Sequence, residues 1–579
     1  MEIQCVIKIL KNLSVYKWII LAIFGLVFIQ SLSELFLPTL MADIIDNGVI
    51  PSDMPVIWKT GGIMLLVTVI SALAAVAASY FSSKAAMGLG RDLRRKVFNH
   101  VEGFDLQDFD KVGTASLITR TTNDITQIQQ VVLMMLRMVL TAPIMFIGGL
   151  IMALSKDAKL SLVIVAAMPI LIIAIVLIFK KGLPLFQTVQ KKLDRLNLVL
   201  RENLTGIRVV RAFNREKDEQ DRLGTANKEL KNVSIKVNRL MAFMMPTMMV
   251  VMNLTVVGVI WFGGIRIDSG AMQIGDLMAY IQYVTMIMMS LVMASVMFIM
   301  IPRAAVSANR INEVLEMDPT EMHEGTKKAD HQRGTLEFEN VTFHYPEAEE
   351  ATLSDISFKA NIGETTAIIG GTGAGKTTLI NLIPRFYDVT SGTIRINGVS
   401  IQDTTQEEIR SRIGLVPQKA LLFSGTVADN LRMGNKDATT EEIEHAARIA
   451  QAEDFITSMK DGYESEISQG GLNLSGGQKQ RLSIARALIR KPDIYLFDDS
   501  FSALDYKTDA QLRSVLTEET KDATVVIVAQ RVSTVIDADQ IIVLDKGKIA
   551  GIGKHKELYE ENTVYREIVE SQLSEEEIS

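Results

Sequence analysis

The chain has 579 residues, 48% of them hydrophobic and 22% charged, with a mean hydropathy of +0.22. That length exceeds one compact domain, and the averages fit a greasy segment joined to a polar one better than a uniform globule. A net charge of −7 argues against a nucleic-acid partner, and the single cysteine, Cys5, excludes an intrachain disulfide or a cysteine-based zinc site.

The apolar runs fill the first three hundred residues. A membrane-spanning helix needs about 20 predominantly apolar residues. Residues 60–83, 160–179, 240–265 and 277–302 each lack Asp, Glu, Lys and Arg. Residues 131–155, interrupted by Arg137, and 18–45, interrupted by Glu34 and Asp43, complete six expected transmembrane helices. The first run lacks a small-residue cleavage site, so the first helix itself is expected to direct membrane insertion. Basic residues alternate along the loops. Lys8, Lys11 and Lys17 precede the first helix, Arg91, Arg94, Arg95 and Lys96 follow the second, and 180–239 is dense in Lys and Arg. The intervening loops are poor in them, which predicts both termini on the cytoplasmic side of a cell membrane. The two long basic loops predict helices that continue well beyond the bilayer.

Residues 317–334 are polar and aperiodic and read as a linker. From Thr335 the pattern becomes alternating (Leu336, Phe338, Val341, Phe343), and strand and helix signals then alternate to about residue 574. The expected organisation is a transmembrane α-helical domain over 1–316, the linker, an α/β nucleotide-binding domain over 335–574 that stays cytoplasmic, and an acidic tail at 575–579.

Gly370-Gly371-Thr372-Gly373-Ala374-Gly375-Lys376-Thr377 lies between an apolar strand, Ala367-Ile368-Ile369, and a helix expected to begin near Thr378. This is the P-loop pattern. Its glycines let backbone N–H groups curl around phosphates at a helix N-terminus. Lys376 is placed to reach the β- and γ-phosphates of ATP, and the Thr377 hydroxyl to ligate Mg²⁺.

Leu474-Ser475-Gly476-Gly477-Gln478, Gln418 in Val416-Pro417-Gln418, and Ser502-Ala503-Leu504-Asp505 follow in order. Together with the P-loop they resemble the ATP-binding-cassette (ABC) family. Six apolar segments ahead of one cassette, with Glu202-Asn203-Leu204-Thr205-Gly206-Ile207-Arg208 and Arg211-Ala212-Phe213 in the second basic loop, look like a multidrug-type ABC exporter half. The resemblance covers nearly the whole chain. It implies a membrane helical domain fused to an α/β P-loop cassette, with ATP and Mg²⁺ as cofactors and the bilayer as surroundings. It also implies ATP-driven export of a hydrophobic small molecule. Two cassettes are expected to pair head to tail, so that Ser475, Gly476, Gly477 and Gln478 close over the partner's ATP. Tyr345, in Phe343-His344-Tyr345-Pro346, looks like the family residue that stacks on adenine. Thr378 and Asp505 fall in the nucleotide site by the same resemblance, and Asp498 and Gln418 at the Mg²⁺.

The chain departs from that family at three positions. Asp499 stands where the family has the glutamate that polarises the attacking water, Gln530 where the switch loop has histidine, and Gln469 where the cross-talk loop has glutamate. Aspartate is shorter by one methylene, about 1.5 Å of reach. The pattern is similar to the subunit of heterodimeric exporters that binds ATP firmly and hydrolyses it slowly, its signature serving a sister half-transporter. The alternative is a homodimeric exporter of lipid or peptide with a slow Asp499-based ATPase.

Two features of the membrane half bear on substrate. Met286, Met289, Met293, Met297 and Met300 recur at three- and four-residue steps on one face of the sixth helix, and Met241, Met245, Met248 and Met252 form a stripe on the fifth. Thioethers suit varied apolar ligands, and such stripes equally serve helix packing or lipid contact. Glu34 is an ionisable group within a membrane helix, which points to a functional role. Contact with a cationic substrate and hydration near the interface both fit its position.

Overall fold

A computed structural model describes residues 8–317, 334–345 and 348–573, apart from the side chains of residues 179, 183, 296–299 and 301–303. Cys5, residues 318–333 of the expected linker and the acidic tail lie outside the described residues. The chain divides into a helical unit extending to Met317, without residues 103–111, and a second unit containing residues 103–111 and the rest of the chain.

Six long helices build the first unit: α1 (Lys17–Ile44), α2 (Met54–Glu102), α3 (Ile125–Lys156), α4 (Ser161–Thr205), α5 (Glu216–Asp268) and α6 (Ile274–Glu316). All six are long and apolar enough to cross a membrane. At 1.5 Å per residue the 53-residue α5 is about 80 Å long, against a hydrocarbon core of about 30 Å. The helices therefore outrun their apolar runs: α2 starts six residues before residue 60 and α3 six before residue 131. Hydropathy marks the part of a helix that lipid accepts, whereas backbone hydrogen bonds continue through Lys59 and Gln129 without interruption.

Small residues and buried hydroxyls hold the bundle together, as expected where lipid removes the hydrophobic drive between helices. Gly149 of α3 faces Ile287 of α6 so closely that an added Cβ would lie 2.9 Å from the isoleucine side chain. Tyr283 is fully buried; its hydroxyl hydrogen-bonds the Leu35 carbonyl at 3.1 Å and the Thr39 hydroxyl at 2.6 Å. Tyr280, also buried, donates to Ser161 Oγ at 3.0 Å. Ion pairs join the short connections at one end of the bundle, Lys156 with Asp276 at 2.7 Å and Arg266 with Asp157 at 2.8 Å.

The second unit has an antiparallel sheet, β2-β1-β4-β5, made of β1 (Leu336–Phe343), β2 (Leu353–Ala360), β4 (Ser391–Ile396) and β5 (Val399–Ser400). Beside it lies a six-stranded sheet in the order β12-β11-β3-β10-β9-β6. Its strands are β3 (Thr365–Gly370), β6 (Ile413–Val416), β9 (Ile494–Asp498), β10 (Thr524–Val528), β11 (Gln540–Asp545) and β12 (Lys548–Gly553), while β7 (Gly425–Thr426) and β8 (Glu466–Ile467) pair separately. All neighbours in the six-stranded sheet are parallel except β11 and β12. The strands β9 and β10 are buried along their whole length, as parallel strands covered on both faces must be. The protein is thus six apolar helices in an N-terminal membrane domain fused to an α/β cassette.

Candidate active site

The parallel register gathers the chemistry at one edge. Val528 lies opposite both Ile368 and Asp498, so β3, β10 and β9 end side by side. Ligands of open α/β sheets bind outside such carboxyl ends. The loop after β3 leads into helix α7 (Lys376–Leu382). Gly373 and Gly375 have φ of 80° and 99°, a region that glycine enters without strain, and the space beside Gly371 and Gly373 is open. Residues 370–375 therefore form an amide-lined cradle.

Lys376 is buried and its ammonium donates to the carbonyls of Gly370 and Gly371 at 2.7 and 2.8 Å. Burial pulls its pKa down, against the opposing charges of Asp499 and Asp498. A desolvated cation resting on its own loop suits an incoming phosphate. Asp498, 5% exposed, accepts from the Thr377 hydroxyl at 3.4 Å. Burial pushes its pKa up, with Asp499 beside it adding to the rise and Thr377 and Lys376 opposing. A buried carboxylate next to a hydroxyl supplies hard oxygen donors, which fits Mg²⁺. Among the described residues no group of three acidic, His or Cys side chains is placed to hold a metal ion alone. A Mg²⁺ ion held by Thr377 and Asp498 would keep waters or phosphate oxygens as its other ligands.

Asp499 follows in a left-handed conformation, φ 48°, with its N–H donating to the Val528 carbonyl at 2.9 Å. Its Oδ2 accepts from two amides, Gln418 Nε2 at 3.3 Å and Gln530 Nε2 at 3.0 Å. Gln530 is itself held by Gln572: the Gln572 amide donates to the Gln530 carbonyl at 2.8 Å and its Oε1 accepts from Val532 N–H at 2.9 Å. Tyr345 reaches the site from beyond β1, its hydroxyl 3.1 Å from Thr378 Oγ1. Its ring meets Tyr387 edge to face at 5.4 Å. The Tyr387 hydroxyl is 3.4 Å from Asp110 Oδ2, and burial together with that carboxylate pushes its pKa up to about 12. Gln572, Tyr387 and Asp110 carry no local motif; each reaches the site across 42 to 277 residues of chain.

The structure thus brings together Tyr345, residues 370–378, Gln418, Asp498, Asp499 and Gln530. Ser475 sits apart as N-cap of helix α8 (Gly476–Ile489), in a reciprocal box with Gln478 at 2.9 and 3.3 Å. The S-x-x-Q spacing is the sequence signal for that cap. Gly476 has open space around it, and Ser475 is exposed at the helix start. Asp505 caps the helix α9 (Tyr506–Glu519), and its hydrogen bonds from Thr508 hold its pKa down. None of these hydrogen bonds reaches residues 370–378.

In the membrane unit Glu34 is half-buried and accepts from Gln30 Nε2, one helical turn earlier, at 2.9 Å. Met289 joins Met245, Met248 and Met252 around a cavity of ≈ 90 Å³, which also takes in Met249 and Met288, both outside the stripes. Met286 and Met300 are half-buried and Met293 is exposed; the Met297 side chain lies outside those described.

A P-loop at the end of a parallel strand, with an acidic strand end beside it and six apolar helices ahead, defines an ATP-driven membrane transporter. The family description "ABC transporter transmembrane region" matches residues 19–292, and "ABC transporter" matches residues 353–502. An uncharacterized ABC transporter ATP-binding protein of Mycobacterium tuberculosis is 42% identical over 567 residues, 97% of each chain. A fatty acid ABC transporter ATP-binding/permease protein of Mycobacterium bovis is 33% identical, covering 82% of this chain and 75% of its own. A multidrug resistance ABC transporter ATP-binding and permease protein of Lactococcus lactis is 30% identical, covering 87% and 85%. The chain belongs to the ABC transporters. It is a multi-pass ATP-driven exporter, homologous to multidrug exporters, and its cassette couples ATP hydrolysis to transport.

Proposed function

We propose that this chain exports hydrophobic or amphipathic compounds, as multidrug exporters do, as the weak-site half of a heterodimer. The observation that carries the reading is two amides on one carboxylate oxygen, Gln418 and Gln530 at Asp499 Oδ2. A general base must come within about 3 Å of its water. Asp499 is one methylene shorter than glutamate, and its Oδ2 is already turned toward two donors. A glutamine at 530 donates but neither titrates nor carries charge. Holding ATP and turning it over are then separate capacities, and this site keeps the first.

The holding groups have assigned roles. Lys376 leaves the Gly370 and Gly371 carbonyls for the β- and γ-phosphates, Tyr345 stacks on adenine beside Thr378, and residues 370–375 offer amides. Thr377, Asp498 and Gln418 would hold Mg²⁺, which neutralises phosphate charge. Ser475 to Gln478 and Asp505 serve the ATP of the sister half-transporter, because a signature at a helix start is an anion site with no phosphate of its own to bind. The basic loops support a cytoplasmic side for both termini and the cassette, in the cell membrane. The domain limits follow the sequence, 1–316, 317–334 and 335–574. The named substrates of the relatives, drugs and fatty acids, share apolar bodies that methionine surfaces accommodate. Met286, Met289, Met293, Met297 and Met300 are assigned to that path, with Glu34 at its outer end.

The test is steady-state ATPase of the purified chain, alone and with the half-transporter that co-purifies with it. Slow hydrolysis alone and fast hydrolysis together are expected. Robust turnover by a verified homodimer would sink the heterodimer and leave the slow-aspartate alternative.

A further inference from the structure

A cavity of ≈ 750 Å³ lies where the N-terminal turn Lys11–Tyr16 and the start of α1 meet the middle of α3. That volume is in the range of small-molecule sites, roughly 300–1,000 Å³. Its body is apolar, with Ile20 and Phe24 across from Val132, Leu136 and Val139. Two charged residues line it, Lys11 and Lys17, and both are cationic. Neither has an acidic partner among the described residues, whereas nearby Lys8 is paired with Glu316.

The lysines sit on fixed backbone. The Tyr16 hydroxyl donates to Asp92 Oδ2 of α2 at 2.7 Å, and the ring fills the space that a Cβ at Gly88 would need. Lys17 is 5.9 Å from the Trp18 ring, a cation and an indole at the point where α1 turns continuously apolar. Trp and Lys at such a point mark the membrane–water boundary. The cavity therefore starts at headgroup depth with two cations and continues to acyl-chain depth with aliphatic walls.

We propose that this cavity binds one anionic phospholipid of the bilayer. Its phosphate lies between Lys11 and Lys17, and one acyl chain lies along Ile20, Phe24, Val132 and Leu136. A zwitterionic lipid of the same chain length fills the walls equally and gains less from the cations. Each Lys near an anionic surface strengthens binding about 5-fold, so the two predict a preference of about 25-fold. The assignment rests on the membrane position of α1 and α3, and on nothing in the nucleotide site.

The experiment uses the full chain in nanodiscs of neutral lipid. The discs carry a small fraction of phosphatidylglycerol or phosphatidylcholine with a photoreactive diazirine on the acyl chain, and adducts are mapped by peptide mass spectrometry. Phosphatidylglycerol should label residues 17–24 and 132–140 at least 10-fold more than phosphatidylcholine. K11Q/K17Q, which changes two exposed side chains, should bring that labelling to the phosphatidylcholine level. V132W/L136W, which fills the cavity, should abolish both. Equal labelling by the two lipids, or labelling that K11Q/K17Q leaves intact, would overturn the proposal. So would absence of labelling, as expected if helices of a second chain cover the groove. A diazirine fatty acid that labels as well as phosphatidylglycerol would reassign the site to free carboxylate amphiphiles and overturn the phospholipid.

Discussion

Two flanks of the nucleotide site stand a few residues apart and differ in their state. On the α7 flank Lys376 and Asp498 are buried beside the exposed Thr377, and desolvation holds both away from their ordinary protonation balance. They are poised for a phosphate and a cation. On the β10 flank Asp499 and Gln530 satisfy each other, and Gln572 fixes Gln530 from behind. Groups that need a ligand to be comfortable bind one tightly. Groups already satisfied have less to gain from a water and a transition state. The comparison separates binding from turnover within one site.

The largest expected effect falls outside that site. In the reconstituted heterodimer, Ser475→Ala should cut steady-state ATPase by about 10²–10³-fold, the usual cost of one lost transition-state donor. Lys376→Ala should instead reduce nucleotide occupancy at this chain's P-loop and leave part of the transport. If Lys376→Ala abolishes turnover while Ser475→Ala does nothing, the strong and weak sites are assigned the wrong way round.

Asp499→Glu with Gln530→His sharpens the contrast between the flanks. A positioned base contributes about 10²–10⁴-fold, and partial recovery of about 10-fold or more at this P-loop is expected from trapped-nucleotide analysis. No change there would mean that reach and switching are not what limits the site. Tyr345→Ala probes the holding flank with a smaller effect. Loss of aromatic stacking on a base typically costs about 1–3 kcal/mol, so ATP affinity should fall about 10-fold with little change in the rate of bound ATP.

The architecture was legible because two physical constraints write themselves into sequence. A bilayer demands about 20 apolar residues, and phosphate cradling demands glycines at fixed offsets before a helix. Helix starts were not legible: α2 begins at Met54 and runs through Lys59, and α3 begins at Ile125, six residues before its apolar run, since backbone bonding ignores side-chain polarity. In the site, Lys376, Thr377 and Asp498 could be named from motif, as could the run Ser475–Gln478, although its capping box came only with the structure. Gln572 and Tyr387 could not, because their partners lie far along the chain and no local pattern marks them. The methionine stripes name part of one cavity wall, Met245, Met248, Met252 and Met289, and leave out the rest. Met249 and Met288 line the same cavity as Met248 and Met289 from adjacent positions, which a single-face reading discards.

The smallest expected effect concerns Asp498 without ligand. Burial raises its pKa, with Asp499 adding to the rise, so the charged form is disfavoured in the folded cassette. Between the unfolded value of about 3.9 and the raised folded value, the folded state binds more protons than the unfolded one. Stability from this group is therefore present below the unfolded pKa and is lost as pH rises through the folded pKa. At neutral pH, Asp498→Asn should remove that cost and raise the nucleotide-free melting temperature by a few degrees, a shift of about 2–4 °C for each kcal/mol in a unit of this size. The gain should shrink as pH is lowered toward 4, where the wild-type carboxyl protonates as well. With MgATP present the order should reverse, since a ligand that binds the folded state stabilises it by mass action and the variant lacks a carboxylate for the cation. EDTA should return wild type to its lower value and leave the variant where it was. A variant less stable than wild type in nucleotide-free buffer at neutral pH would show that Asp498 is held by its neighbours instead of waiting for a cation.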